Sequence, residues 1–111
     1  MITYIELWKA KQTWMDLSVE NRAAYMTALG PAIQQLTENG VQIVSWGANE
    51  AETFGRGDYD YFAVWSCPNA EAAKSFENLV EGAGWYNYFD QVNVMGKTGS
   101  PQDVIGQLVG L

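Results

Sequence analysis

The chain has 111 residues, a length typical of one domain, and 48% of them are hydrophobic, which excludes a disordered protein. Its net charge of −7, with only six lysines and arginines, excludes a surface that neutralises nucleic-acid phosphates or binds an anionic membrane. The chain contains no histidine, so histidine-dependent catalysis and histidine-ligated zinc or haem are excluded.

The first ten residues have the alternating pattern of a β-strand. Tyr4, Glu6 and Trp8 fall on one side of it, and Ile5 and Leu7 fall on the other. This segment has no basic start and carries an acid within its apolar run, which argues against a signal peptide and predicts a cytoplasmic protein. No stretch approaches the about 20 apolar residues of a membrane-spanning helix, so we expect no membrane partner.

A long helix is predicted next, with Ser18 as its N-cap and Asn39-Gly40 as its stop signal. Its apolar stripe consists of Val19, Met26, Leu29, Ile33 and Leu36. Because this stripe continues past Gly30-Pro31, we expect a kink there rather than two separate helices.

The rest of the chain is predicted to supply three strands and two helices. Residues 41–48 and 59–67 have strand composition, Asn69 begins a second helix that Gly84 ends, and GWYNYFDQVNV (84–94) holds the fourth strand. Ser100, Pro101 and Asp103 form a capping-box pattern for a C-terminal helix over about 101–109.

The resulting βαββαβ order predicts a single α+β domain over 1–111, with the ferredoxin-like fold, a four-stranded antiparallel sheet and both long helices on one face. The other face would then be bare. We expect the aromatic residues of the strands to lie there, and two copies of the chain to cover them by pairing through this sheet face.

The chain also resembles a known superfamily in three segments: IELWKAKQTW (5–14), YDYFAVWSCP (59–68) and GWYNYFDQVNVMGK (84–97). With the element order and the length, these are similar to the dimeric α+β barrel superfamily, and more narrowly to a branch of small bacterial proteins with no assigned activity. The superfamily includes antibiotic-biosynthesis-type monooxygenases, EthD-like proteins and stress-responsive barrel proteins. The resemblance implies a homodimer, but not one chemistry, because members catalyse unrelated reactions.

Glu6 is the sharpest candidate for a functional residue. It lies between Tyr4 and Trp8 on the strand, so we expect a desolvated carboxyl with a raised pKa unless a cation or donors hold it charged. Arg22 is the predicted partner, since it continues the apolar stripe of the long helix by one turn. The pair is either structural, or Glu6 acts as an acid or base while Arg22 anchors a ligand carboxylate.

Aromatic side chains are the predicted walls of a ligand cavity. Trp8, Trp46, Tyr61 and Trp65 have the parity of one sheet face, and such walls suit acyl chains or flat rings. On the fourth strand, Val92 and Val94 are predicted to face the helices. Phe89, Gln91, Asn93 and Met95 are predicted to face the opposite surface, where they would line either a cavity or a dimer contact.

Three functions stay open at this point. The first is a homodimer that binds a small apolar or amphipathic molecule, such as a fatty-acid-like or aromatic compound, without a cofactor or metal. Its pocket would lie either between the sheet and the helices or at the interface between the two sheets. The second, implied by the resemblance, is a cofactor-independent monooxygenase or isomerase acting on an aromatic or polyketide-like substrate. The third is a structural or regulatory dimer without a ligand.

Overall fold

The strands form one antiparallel sheet with the order β2-β3-β1-β4. The computed structural model describes residues 1–111. Its elements are β1 (Ile2–Ala10), α1 (Gln12–Met15), α2 (Val19–Ala28), α3 (Gly30–Glu38), β2 (Gln42–Ala48), β3 (Tyr61–Cys67), α4 (Ala70–Gly82), a 3-10 helix (Trp85–Asn87), β4 (Phe89–Lys97) and α5 (Pro101–Val109). This is the ferredoxin-like arrangement that the sequence predicts, with the additional C-terminal helix.

The predicted helix caps are present. The side chains of Ser18 and Asn69 accept hydrogen bonds from the backbone N–H groups of Asn21 and Ala72, the third residues of α2 and α4, respectively. Ser100 and Asp103 form the reciprocal capping box of α5. Each of these bonds satisfies a donor that the first helical turn leaves free, so the sequence fixes where these helices begin.

The long helix predicted over 18–40 is divided at Leu29 into α2 and α3. Leu29 keeps a helical backbone, and its N–H donates to the Met26 carbonyl at 3.2 Å. Two residues later, Pro31 has no N–H to continue the ladder of helical hydrogen bonds. The helix predicted as one kinked element is therefore two helices, separated by the single residue Leu29.

The aromatic face of the sheet lies under the helices, which corrects the prediction that it faces away from them. Tyr4, Glu6 and Trp8 are all buried, and the Tyr4 ring packs against Phe76 of α4 at 4.8 Å. Trp65, opposite Tyr4 in the register, packs against the same Phe76 at 5.0 Å. The alternation of a strand shows which residues share a face, but not which face the helices cover.

The orientation predicted for β4 is wrong for the same reason. Asn93 is opposite Glu6 in the register and Gln91 is opposite Trp8, so both amides belong to the helix-covered face. Val92 and Val94 are opposite Leu7 and Ile5, respectively, on the other face.

We call this second surface the open face; its apolar side chains are Ile5, Leu7, Phe62, Val64, Val92 and Val94. The side chains of Val92 and Val94 are 40% and 58% exposed. The apolar residues Val104, Ile105 and Leu108 of α5 are exposed as well. No helix is long and apolar enough to cross a membrane.

Candidate functional site

A cavity of about 70 Å³ lies between the sheet and the helices α3 and α4. We call it the inner cavity. Of its 13 lining residues 12 are hydrophobic, and Glu6 is the exception. Four tryptophans belong to its wall: Trp8, Trp46, Trp65 and Trp85. The wall is therefore aromatic and apolar, and the carboxylate of its one ionisable residue, Glu6, lies buried behind the surface of the cavity.

A wider cleft of about 570 Å³ continues from the inner cavity along the sheet. We call it the outer cleft. Both spaces share the walls Trp8, Leu29, Ile33, Trp46 and Trp85, so they form one continuous site. The outer cleft is completed by further aromatic and apolar residues: Trp14, Met26, Tyr61 and Phe89.

The site exists because the helices do not close fully on the sheet. No residue of α2 is buried, and α3 buries only Leu36. The break at Leu29 lies between these helices, and Leu29 itself lines both spaces. Apolar side chains that would otherwise complete a core thus line an open space.

The Glu6 carboxylate is held by two neutral donors. The indole Nε1 of Trp65 donates to its Oε1 at 2.6 Å, and the amide Nε2 of Gln91 donates to its Oε2 at 2.7 Å. Only 6% of Glu6 is exposed, and it forms no ion pair. Desolvation raises the pKa of Glu6 above its ordinary value, while both hydrogen bonds act to lower it.

The amide of Gln91 has a fixed orientation. Its Oε1 accepts from the indole Nε1 of Trp85 at 2.7 Å, and an indole N–H can only donate. The Nε2 of Gln91 must therefore face Glu6, and it also donates to Oδ1 of Asn93 at 2.8 Å. Trp85, Gln91 and Glu6 form a one-way chain of donors that ends on the carboxylate.

Protein stability is expected to decrease as pH rises from about 4.5, the ordinary value of a glutamate pKa, through the raised pKa of Glu6. Because the folded pKa is the higher one, the folded state binds more protons than the unfolded state in this window. Ionisation of the buried carboxyl then opposes folding. Urea unfolding of the wild type and of Glu6→Gln across this window checks this, and parallel pH profiles for the two proteins would contradict it.

The predicted ion pair between Glu6 and Arg22 is absent. Arg22 instead donates from Nε to the Trp14 carbonyl at 3.1 Å and from Nη2 to the Met15 carbonyl at 2.9 Å. These carbonyls lie at the end of α1, where few backbone donors remain; the Trp14 carbonyl also accepts from the Leu17 N–H at 3.1 Å. Arg22 thus caps a short helix and lines neither the inner cavity nor the outer cleft.

The structure brings most of the other predicted site residues together. Glu6, Trp8, Trp46 and Trp65 line the inner cavity, and Tyr61 and Phe89 line the outer cleft. Tyr4 and Asn93 line neither space.

Both of these side chains are engaged elsewhere. The hydroxyl of Tyr4 donates to Glu77 of α4 at 2.9 Å. Asn93 accepts from Gln91, and its Nδ2 lies 3.3 Å from the hydroxyl oxygen of Tyr86.

Sequence reasoning missed the roles of Trp85 and Gln91. No role in the ligand site was predicted for Trp85, and Gln91 was placed on the wrong face. The available signal was a pair of complementary polar groups six positions apart. Its significance depends on the 3-10 helix at Trp85–Asn87, which the sequence pattern did not predict.

A model of a family of unknown function, DUF6616, matches residues 1–111. No curated protein matches the chain.

Among solved structures, the chain is similar to the protein named "Putative Chlorite dismutase TA0507", with 15% identity and a TM-score of 0.66. The match covers 96% of this chain but 48% of that one, so this chain spans about half the length of TA0507.

Two structures of more similar length also match. A dimeric ferredoxin-like protein of unknown function from Thermobifida fusca has 16% identity and a TM-score of 0.57, with 87% of this chain and 90% of that chain covered. At3g17210 from Arabidopsis thaliana has 16% identity and a TM-score of 0.59, with 90% and 97% covered. These similarities confirm the ferredoxin-like fold and the resemblance to the dimeric α+β barrel proteins at the level of fold.

Proposed function

Because the chain belongs to DUF6616, a family of unknown function, we propose a function from its site: binding of a small aromatic or amphipathic molecule. The observation that carries this proposal is the aromatic inner cavity and its continuation into the outer cleft. Small-molecule sites are typically concave and mostly apolar, with few polar groups that set orientation. Here the body of a ligand would pack on the tryptophans, and the Glu6 carboxylate buried behind them would influence which charge the ligand can carry.

The composition of the walls favours a flat ring over a fatty acid. A fatty-acid carboxylate needs a cation or several donors, and the predicted anchor Arg22 caps α1 instead. The ionisable group in the wall is another carboxylate, Glu6, which would repel it. We therefore propose an aromatic body without a free carboxylate.

A cavity-filling substitution is expected to block binding. Ala32 lines the inner cavity from α3, so the ring introduced by Ala32→Phe would occupy the space of a ligand. We expect at least about a tenfold weaker affinity for N-phenyl-1-naphthylamine, a neutral fluorescent probe, since a lost ring contact is worth more than about 1.4 kcal/mol. Ala24→Phe on α2 is the matched control, because Ala24 is exposed and lines neither space.

Equal affinity of the wild type and Ala32→Phe for this probe would overturn the proposed site. Mass spectrometry of small molecules released from denatured wild-type protein then identifies natural ligand candidates. Ala32→Phe should retain less of such a compound than Ala24→Phe does.

We further propose that two copies of the chain pair through the open face. The Thermobifida fusca protein of similar fold is dimeric, and an uncovered row of apolar strand residues usually marks an interaction surface. The inner cavity lies on the other side of the sheet, so each copy would hold a complete site.

An isomerase that moves a proton is a second candidate. It is favoured by one observation: the Glu6 carboxyl lies directly behind the wall of the inner cavity, and burial raises its pKa above its ordinary value. Chemical analysis of a bound compound after incubation separates the two functions. Unchanged compound supports a binding protein, whereas a rearranged product supports an isomerase.

A further inference from the structure

The negative charge of Glu6 has no cationic partner within the protein. Two cations are paired on the surface, Lys9 with Asp58 at 2.9 Å and Arg56 with Asp60 at 3.3 Å. Lys74 lies 3.9 Å from Glu77.

The remaining basic side chains are also away from Glu6. Lys11 and Arg22 donate to backbone carbonyls, and Lys97 lies at the exposed end of β4. No basic residue lines the inner cavity. A buried carboxylate held only by neutral donors leaves a net negative potential in the space beside it.

The tryptophans of the inner cavity are arranged edge to face around a shared space. Trp8 meets Trp46 at 5.5 Å with an interplanar angle of 68°, and it meets Trp85 at 5.8 Å and 72°. Trp46 in turn meets Trp65 at 5.8 Å and 77°. The face of an aromatic ring is its negative pole, and it attracts a cation within about 6 Å of the ring centre.

The polar edges of two of these indoles are already in use. Trp65 donates its N–H to Glu6, and Trp85 donates its N–H to Gln91. An anionic ligand would therefore find neither a cation nor these donors, and the Glu6 carboxylate buried behind the wall would repel it. The wall rejects negative charge and favours positive charge.

We infer that the inner cavity selects the positively charged head of an organic ammonium compound, whose aromatic or apolar body lies in the outer cleft. The sizes agree with this division, since about 70 Å³ suits a small head group and about 570 Å³ suits a ring system. This inference rests on the proposed ligand-binding function and names its ligand class. The cation would supply the charge partner that Glu6 lacks in the protein.

The test compares three compounds of similar shape: phenyltrimethylammonium, the uncharged tert-butylbenzene and the anionic benzenesulfonate. Binding is followed by the change in tryptophan fluorescence of the full-length wild-type protein. We expect the cation to bind at least about tenfold more tightly than either of the others, because the ring faces and the nearby Glu6 carboxylate both attract a positive charge. Glu6→Gln should reduce this preference by removing the contribution of the carboxylate, while the contribution of the ring faces remains.

A second variant, Trp46→Leu, tests the inference independently in case Glu6→Gln does not fold. Trp46 is 51% exposed and its N–H has no role in the hydrogen-bond chain, so Trp46→Leu should fold. It is expected to weaken binding of the ammonium compound more than binding of tert-butylbenzene. Equal or tighter binding of tert-butylbenzene to the wild type would overturn the cation inference while leaving the ligand site intact. Failure of all three compounds and of N-phenyl-1-naphthylamine would remove the proposed function as well.

Discussion

Gln91→Glu is expected to reduce the free energy of unfolding by about 3 kcal/mol at about pH 8, although it only replaces the side-chain NH2 group by an oxygen. The Nε2 of Gln91 lies 2.7 Å from Oε2 of Glu6, so the substitution places a second carboxyl against a buried one. Two carboxyls at this distance cannot both ionise without a large penalty. The penalty should shrink as pH falls and the pair retains a proton, because the folded-state pKa of the pair is raised.

The matched control is Gln42→Glu. Gln42 is exposed on β2, and the same chemical change there should alter stability by less than about 0.5 kcal/mol. Urea unfolding of both variants at about pH 5 and about pH 8 measures the difference. A loss of similar size at both positions would show that Glu6 and Gln91 do not interact as described.

Combining Gln91→Glu with Glu6→Gln is expected to restore most of the lost stability. In the double variant the amide at position 6 can accept from Trp65 and donate to the carboxylate at position 91. That carboxylate would also accept from Trp85, so the chain of donors is rebuilt with the charge moved by one residue. The double-mutant cycle should give a coupling of about 2 kcal/mol or more, whereas additive effects would contradict the chain.

The sequence predicted this site in part. Strand alternation correctly grouped Glu6 with Trp8 and Trp65. It could not show that this group lies under the helices, because both faces of β1 are apolar enough to be buried: Ile5 and Leu7 compete with Tyr4 and Trp8. Alternation with a period of two residues separates the two faces of a strand, but it does not indicate which of them the helices cover.

The partners of Glu6 were beyond sequence reasoning for a different reason. Arg22 was predicted as its partner from helical spacing alone, but the carbonyls at the end of α1 compete for its guanidinium. The sequence pattern did not predict the short helix α1, so those acceptors were not foreseen. The contact between Gln91 and Trp85 likewise requires the chain to turn through the 3-10 helix before β4 begins. Long-range pairing, rather than local propensity, decides which donors reach a buried carboxyl.

Val64→Asp is expected to weaken self-association of the chain by at least about 100-fold. Val64 is half-buried on the open face, opposite Ile5 of β1, with Phe62 and Leu7 forming the next pair along the same strands. In a two-fold dimer the substitution occurs once in each copy, so one interface would bury two uncompensated carboxylates. Val19→Asp is the control, because Val19 is 71% exposed on α2 and lies outside the open face.

Sedimentation equilibrium from nanomolar to micromolar concentration measures the dissociation constants of the three proteins. A folded wild-type monomer at micromolar concentration would overturn the proposed dimer. The same experiment separates assembly from binding, since the walls of the inner cavity belong to the opposite side of the sheet. The Val64→Asp monomer should therefore bind N-phenyl-1-naphthylamine with the affinity of the wild type. A parallel loss of binding would mean that the partner copy helps to form the ligand site.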